Sequence, residues 1–125
     1  MSSRYAGRLP RTYADADRML GTRGQKRLLN NTYAVRGGDG RVNIIHHNSI
    51  IGAFDPDGSV MLTNAGYGSV STRERLNAMA PAGVGFVQRD YAQQVHVRDA
   101  TNGEGHVRVI DGGTIQIAPD GTVSV

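Results

Sequence analysis

Short β-branched runs separated by Asp-Gly turns set the pattern of this chain. In residues 106–125, Val107 and Val109, then Ile115 and Ile117, then Val123 and Val125 alternate with polar neighbours. Asp111-Gly112-Gly113 and Pro119-Asp120-Gly121 separate the three pairs. Alternation with period two between tight turns predicts three short strands, here a C-terminal β-meander over residues 101–125. Such a meander either packs on the rest of the chain or serves oligomerisation. Gly38-Asp39-Gly40 and Pro56-Asp57-Gly58 repeat the same turn chemistry upstream. Asp tolerates the left-handed region and Gly enters it without steric cost, so each of these is a hairpin signal. Their spacing is irregular, which argues against a repeat protein.

Residues 42–54 form the strongest apolar stretch. Ile44 and Ile45, and again Ile50 and Ile51, are adjacent and do not alternate. Adjacent apolar residues predict cover on both faces, or a bulge that shifts the register midway. Strands are further predicted at 32–36, 59–64, 84–88 and 91–98, with a polar loop at 99–105. Helical spacing appears in two places. Thr12 and Asp15 predict the capped start of a short helix at 14–20, stopped by Gly21. Ser71-Thr72-Arg73-Glu74 has capping-box spacing and predicts the main helix at 72–80, with Leu76, Met79 and Ala80 facing inward. Residues 25–30 are expected to add a helical turn that carries Leu28 and Leu29 inward. The fold class expected is α+β: a small antiparallel β-sheet of short hairpins with one main helix and a short N-terminal helix. Its parts are a flexible basic arm at 1–11, an α+β domain at 12–100 and the meander.

Composition narrows the chemistry. The chain has 125 residues, which suits one domain, and no cysteine. Disulfides, thiolate nucleophiles and Cys-ligated zinc are therefore excluded. No apolar run approaches the roughly 20 residues of a membrane helix, and the N-terminus has no hydrophobic signal region. A soluble intracellular protein is expected. The net charge of +3 is unevenly placed. Residues 1–41 hold nine Arg or Lys against three acids, and the remainder is mildly acidic. Thirteen of the fourteen cations are Arg. Arg contacts phosphate bidentately and stacks on bases, although a GC-rich genome gives the same bias. A basic segment on an acidic body suggests a polyanionic partner.

Candidate sites follow from these residues. His46-His47 invites a metal, but strand neighbours point to opposite faces and cannot chelate together; no metal site is expected. The acids stand singly in turns, and no Gly-x-Ser-x-Gly elbow occurs, so no catalytic residue is assigned. Gly21-Thr22-Arg23-Gly24 followed by Gln25-Lys26-Arg27 resembles the Gly-x-x-Gly clamp of RNA-binding KH domains. Arg73 and Arg75 sit near the start of the main helix, where cations oppose the dipole at a cost of a few tenths of a kcal/mol unless an anion is near. Tyr67, between glycines just upstream, is placed to stack on a base.

Residues 29–77 resemble a group of small, largely uncharacterised proteins from bacteriophages of actinobacteria. The resemblance rests on Leu29-Asn30-Asn31-Thr32-Tyr33, Asp39-Gly40, His47, Pro56-Asp57-Gly58, Val60-Met61-Leu62, Gly66-Tyr67 and Ser71-Thr72-Arg73-Glu74-Arg75-Leu76-Asn77. Ala65-Gly66-Tyr67 stands where that pattern has Gly-Gly-Trp, and Arg73 where it has Lys. The resemblance implies a phage origin, with host cytoplasm or the virion as location, and marks His47 as the histidine to watch. It implies no activity.

The expectation is thus a small non-enzymatic binding protein without cofactor. DNA or RNA is the leading partner, contacted through Arg8, Arg11, Arg23, Lys26, Arg27, Tyr67, Arg73 and Arg75. An inhibitor or modulator of a host protein is one alternative. A minor virion or assembly protein oligomerising through the C-terminal strands is another. No membrane contact is expected.

Overall fold

A computed structural model describes residues 4–98 and 107–125. The expected polar loop at 99–105, His106 and residues 1–3 lie outside the described residues. Thr12 caps helix α1 (Tyr13–Leu20), its side chain accepting from the Asp15 amide. The chain then enters a strand, β1 (Gln25–Leu29), where a helical turn was expected. Asn30-Asn31 is the reason: Asn31 takes φ 55°, a region Asn tolerates, and this folds β1 back onto β2 (Thr32–Arg36). Pairing with β2 then overrides the local preference of Gln-Lys-Arg-Leu-Leu for helix.

The apolar stretch at 42–54 folds as a hairpin. β3 (Val42–His46) and β4 (Ser49–Phe54) flank a turn in which His47 and Asn48 both take positive φ, 49° and 67°. The expected bulge is present: the register shifts between Ile44 and Ile45. It turns Ile51 into the core and leaves Ile50 42% exposed. β5 (Val60–Thr63) follows the Pro56-Asp57-Gly58 turn.

Among the described residues the strands form two antiparallel sheets. The larger has the order β1-β2-β3-β4-β5-β9-β10, with β9 (Thr114–Ile117) and β10 (Val123–Ser124). The smaller has the order β6-β7-β8, from β6 (Val84–Arg89), β7 (Ala92–Arg98) and β8 (Val107–Asp111). The last three strands therefore do not run as one meander. β8 pairs with β7, and the chain crosses at Gly112-Gly113 so that β9 pairs with β5. A turn signal fixes a change of direction, and the apolar faces decide which strand becomes the neighbour.

Helix α2 (Val70–Met79) begins two residues before its expected start. Ser69 is the cap, accepting from the Thr72 amide at 3.2 Å, because Ser71 is engaged elsewhere. Both helices lie on the same face of the large sheet. Ala16, Leu20, Leu76 and Met79 join one buried cluster with Ala34, Ile44, Leu62 and Ile115. Phe86, Val95 and Ile110 of the small sheet belong to the same cluster. The architecture is α+β, with one main helix and a short N-terminal one, as the sequence pattern predicts.

Gly52 lies on the helix-covered face, between Ile44 and Leu62. A Cβ there would stand 3.2 Å from Met79 Sδ and 3.5 Å from Leu62 Cδ2. The bare backbone lets α2 settle against the sheet. We expect Gly52→Val to destabilise the fold by about 1–3 kcal/mol through overpacking. A urea midpoint that does not move would show that Met79 has room to give.

Candidate functional site

Arg75 decides the geometry of the site. Its side chain projects from α2 toward the sheet, and the residue is 5% exposed. Nε donates to Thr32 Oγ1 at 2.7 Å, Nη1 to Ser71 Oγ at 2.8 Å and to the Ser71 carbonyl at 3.0 Å, and Nη2 to the Asn30 carbonyl at 3.0 Å. The Tyr5 ring covers the guanidinium, with Cζ 5.0 Å from its centroid. A desolvated guanidinium must have its N–H groups satisfied. Here neutral oxygens and a π face do so, and no carboxylate is paired with it among the described residues. The charge is held but not cancelled.

His46 completes the network. It is 3% exposed, and its hydrogen bonds fix the tautomer. Nδ1 contacts the Thr32 hydroxyl at 3.1 Å and the Asn31 carbonyl at 3.2 Å; Thr32 Oγ1 donates to the Asn30 carbonyl at 3.0 Å and the Asn31 carbonyl can only accept, so Nδ1 carries the proton. Nε2 then accepts from Ser71 Oγ at 3.2 Å. Burial first, then the positive charge of Arg75 and of His47, hold the His46 pKa below its ordinary 6.5. Ser71 and His46 form a hydroxyl–imidazole pair, but every polar atom of the pair is tied to the fold: Arg75 to Ser71, and the turn carbonyl to His46. His47, the histidine marked from the sequence, lies in the exposed turn. The buried partner is its neighbour, because β3 ends at His46.

Beside Arg75 opens a cleft of about 380 Å³ lined by Tyr5, Arg8, Arg27, Leu28, Leu29, Asn30 and Arg75. Three arginines and no acid line it. Arg27 is held by the Leu29 carbonyl and by Asn30 Oδ1. Residues 4–11, expected as an arm, lie against the body: Leu9 is 1% exposed and Arg4 pairs with Glu74 at 3.6 Å. Ion pairs among the described residues engage Arg4, Arg18, Arg36 and Arg41. None of the cations expected to meet nucleic acid is among them.

The other expected contacts are dispersed. Arg23 and Lys26 are exposed, before and on the edge strand β1. Gly21 to Gly24 joins a helix to a strand, so no second helix follows as the KH-like pattern would need. Arg11 turns away and donates to the Ala80 carbonyl at 2.7 Å and 3.1 Å. Arg73 donates to the Gly68 carbonyl at 2.7 Å and to Gln88 at 2.9 Å, tying α2 to the small sheet. With α2 starting at Val70, Arg75 is past the first turn and the expected conflict with the dipole falls on Arg73 alone. Tyr67, 55% exposed, lines a separate cavity of about 140 Å³ with His46, His47, Ile51, Ser69 and Thr72. From the sequence, Tyr5 and Thr32 have no site role, His46 is weighed only as a metal ligand and Ser71 only as a helix cap. A usable signal was present: Asn30-Asn31-Thr32 and Ser71 to Arg75, two of the motif runs, meet at this network.

A family model described as Kyanoviridae Gp96 protein, a phage protein family, matches residues 19–114. No curated protein and no solved structure matches the chain. No helix among the described residues is long and apolar enough to cross a membrane.

Two outcomes test the network. Because the folded pKa of His46 is depressed, the unfolded chain takes up the proton first. The stability His46 contributes is therefore complete above pH 6.5 and is lost as pH falls through the folded value. Urea midpoints should fall as pH drops below 6.5, and His46→Asn should flatten this part of the profile. An unchanged profile in the variant would assign the pH dependence to another group. Arg75→Met should cost about 3 kcal/mol, since it removes four charge-assisted hydrogen bonds at once, to Thr32 Oγ1, Ser71 Oγ and the Ser71 and Asn30 carbonyls; a loss under about 1 kcal/mol would mean that water replaces the guanidinium.

Proposed function

The chain belongs to the Kyanoviridae Gp96 protein family, and we propose that it is a non-enzymatic phage protein that binds nucleic acid through the arginine cleft. One observation carries the reading: Arg8, Arg27 and Arg75 line a single cleft without a carboxylate, and none of the three is in an ion pair among the described residues. A phosphate entering there supplies the counter-charge that the protein withholds. Guanidinium geometry suits it. Arg8 and Arg27 contact the phosphate, Arg75 adds its field from the wall, and Arg23 and Lys26 on the β1 side extend the contact along a strand. Tyr67 and Arg73 form a secondary contact on the far side of α2. The Asn-Asn-Thr-Tyr to Ser-Thr-Arg-Glu-Arg motif run supports a source among bacteriophages of actinobacteria, with action in the host cytoplasm.

A second reading, assembly through the C-terminal strands, draws on the small sheet. β8 is its edge strand, with Val107 and Val109 exposed. A host-protein partner would instead bring an acidic surface to the arginine cleft.

Fluorescence anisotropy with labelled single-stranded and duplex oligonucleotides tests the first reading. Four contacting cations, Arg8, Arg23, Lys26 and Arg27, predict an affinity loss of roughly fifty- to one-hundred-and-fifty-fold between about 50 and 200 mM salt. Arg8→Ala and Arg27→Ala should each reduce the salt slope by about 1. No binding at 50 mM salt rejects nucleic acid as the partner.

A further inference from the structure

We infer that the helix-free face of the large sheet is a docking surface for a second copy of this chain. The cross-strand register fixes which residues stand on that face. One row runs across all seven strands: Gln25, Val35, Asn43, Ala53, Met61, Gln116 and Ser124. A second row is Arg27, Tyr33, Ile45 and Ile50. Thr63 and Thr114 close the face on the far side, their hydroxyls 2.7 Å apart. The intervening row, from Ala34 through Ile44, Gly52 and Leu62 to Ile115, points to the helices and is buried. Tyr33, Val35, Ile45 and Met61 are half-buried and do not pack on the core cluster.

An antiparallel sheet with one wet face normally carries polar residues there. This one has an apolar centre with amides and hydroxyls around it, and charge only at its margins: Arg27 on the edge strand and the mutually neutralised Arg41–Asp55 pair at the turn end. An apolar centre with a polar rim is the anatomy of a protein interface.

Charge selects the occupant. Nucleic acid would need cations across the face, and the rows through its centre hold none. A copy of the same face meets no like charge in its centre, so self-association carries no repulsive penalty. Strands spaced about 4.8 Å apart and about five residues long give a face of ~500 Å² in projection. Two such faces remove ~1,000 Å² together, the floor for a specific interface. Edge-to-edge pairing is the poorer route: β1 carries Lys26 and Arg27, and β10 is two residues long. The dimer is a face-to-face sandwich related by a two-fold axis, and it leaves Arg8 and Arg75 of the cleft uncovered, with Arg27 at the margin where face and cleft meet.

Sedimentation velocity of the full chain at about 10–100 μM and 0.15 M salt should give twice the 13.4 kDa chain mass. Met61→Lys, in the centre of the face, and Ile50→Lys, at a position already 42% exposed, should each return the mass to that of one chain with unchanged far-UV circular dichroism. Should Met61→Lys impair folding, Ile50→Lys decides alone. A wild-type chain sedimenting at monomer mass overturns the inference. So does a dimer that survives Ile50→Lys, or a monomer whose oligonucleotide binding is lost in Tyr33→Ala. The dimer stands or falls independently of the arginine cleft, since Arg8→Ala should leave the mass unchanged.

Discussion

A single desolvated guanidinium ties the two layers of this protein together. Arg75 reaches from α2 to the β1–β2 turn and ends on Thr32 Oγ1 and the Asn30 carbonyl, while its Nη1 fixes Ser71 against His46. Hydrogen bonds to a charged donor are roughly twice as strong as neutral ones, and a buried cation without them would not persist. The tight Asn30-Asn31 turn and the Ser69 cap of α2 both serve this group, and its charge adds to burial in lowering the His46 pKa. Moving the cap to Ser69 is the clearest consequence, because Ser71 cannot both cap the helix and serve the network.

The same constraint produces the functional asymmetry. A buried ion pair would have cancelled the charge. Acceptance by carbonyls, hydroxyls and the Tyr5 ring stabilises Arg75 but leaves positive potential at the cleft it shares with Arg8 and Arg27. The family match begins at residue 19. It thus covers Arg27, His46, Ser71 and Arg75, while Tyr5 and Arg8 come from the segment before it. The ring and the third arginine are brought to the cleft by residues 4–11, which Leu9 anchors in the core.

The two faces of the large sheet follow opposite rules. Toward the helices, Ala34, Ile44, Gly52, Leu62 and Ile115 give a smooth surface on which Met79 sits close. Toward the outside, Tyr33, Val35, Ile45 and Met61 are half-buried and stand apart from the core cluster among the described residues. The bulge at Ile44/Ile45 makes this possible, since it sends Ile51 inward and Ile50 outward from one dipeptide.

Local signals sufficed wherever a few adjacent residues decide the outcome. The Asp-Gly turns, the Thr12 cap, the bulge implied by paired isoleucines and the inward face of α2 were legible because turn geometry and side-chain period are properties of a short segment. Residues 25–30 were misjudged because Asn30-Asn31 acts only when β2 is there to receive β1. Arg75 read as a surface phosphate contact because nothing local tells an arginine whether a turn carbonyl 45 positions away will accept from it. The sequence by itself determined the α+β class and an arginine excess. Tertiary structure alone decided which arginines share a cleft, which histidine is buried and which sheet each C-terminal strand joins, since desolvation and pairing depend on neighbours distant in the chain.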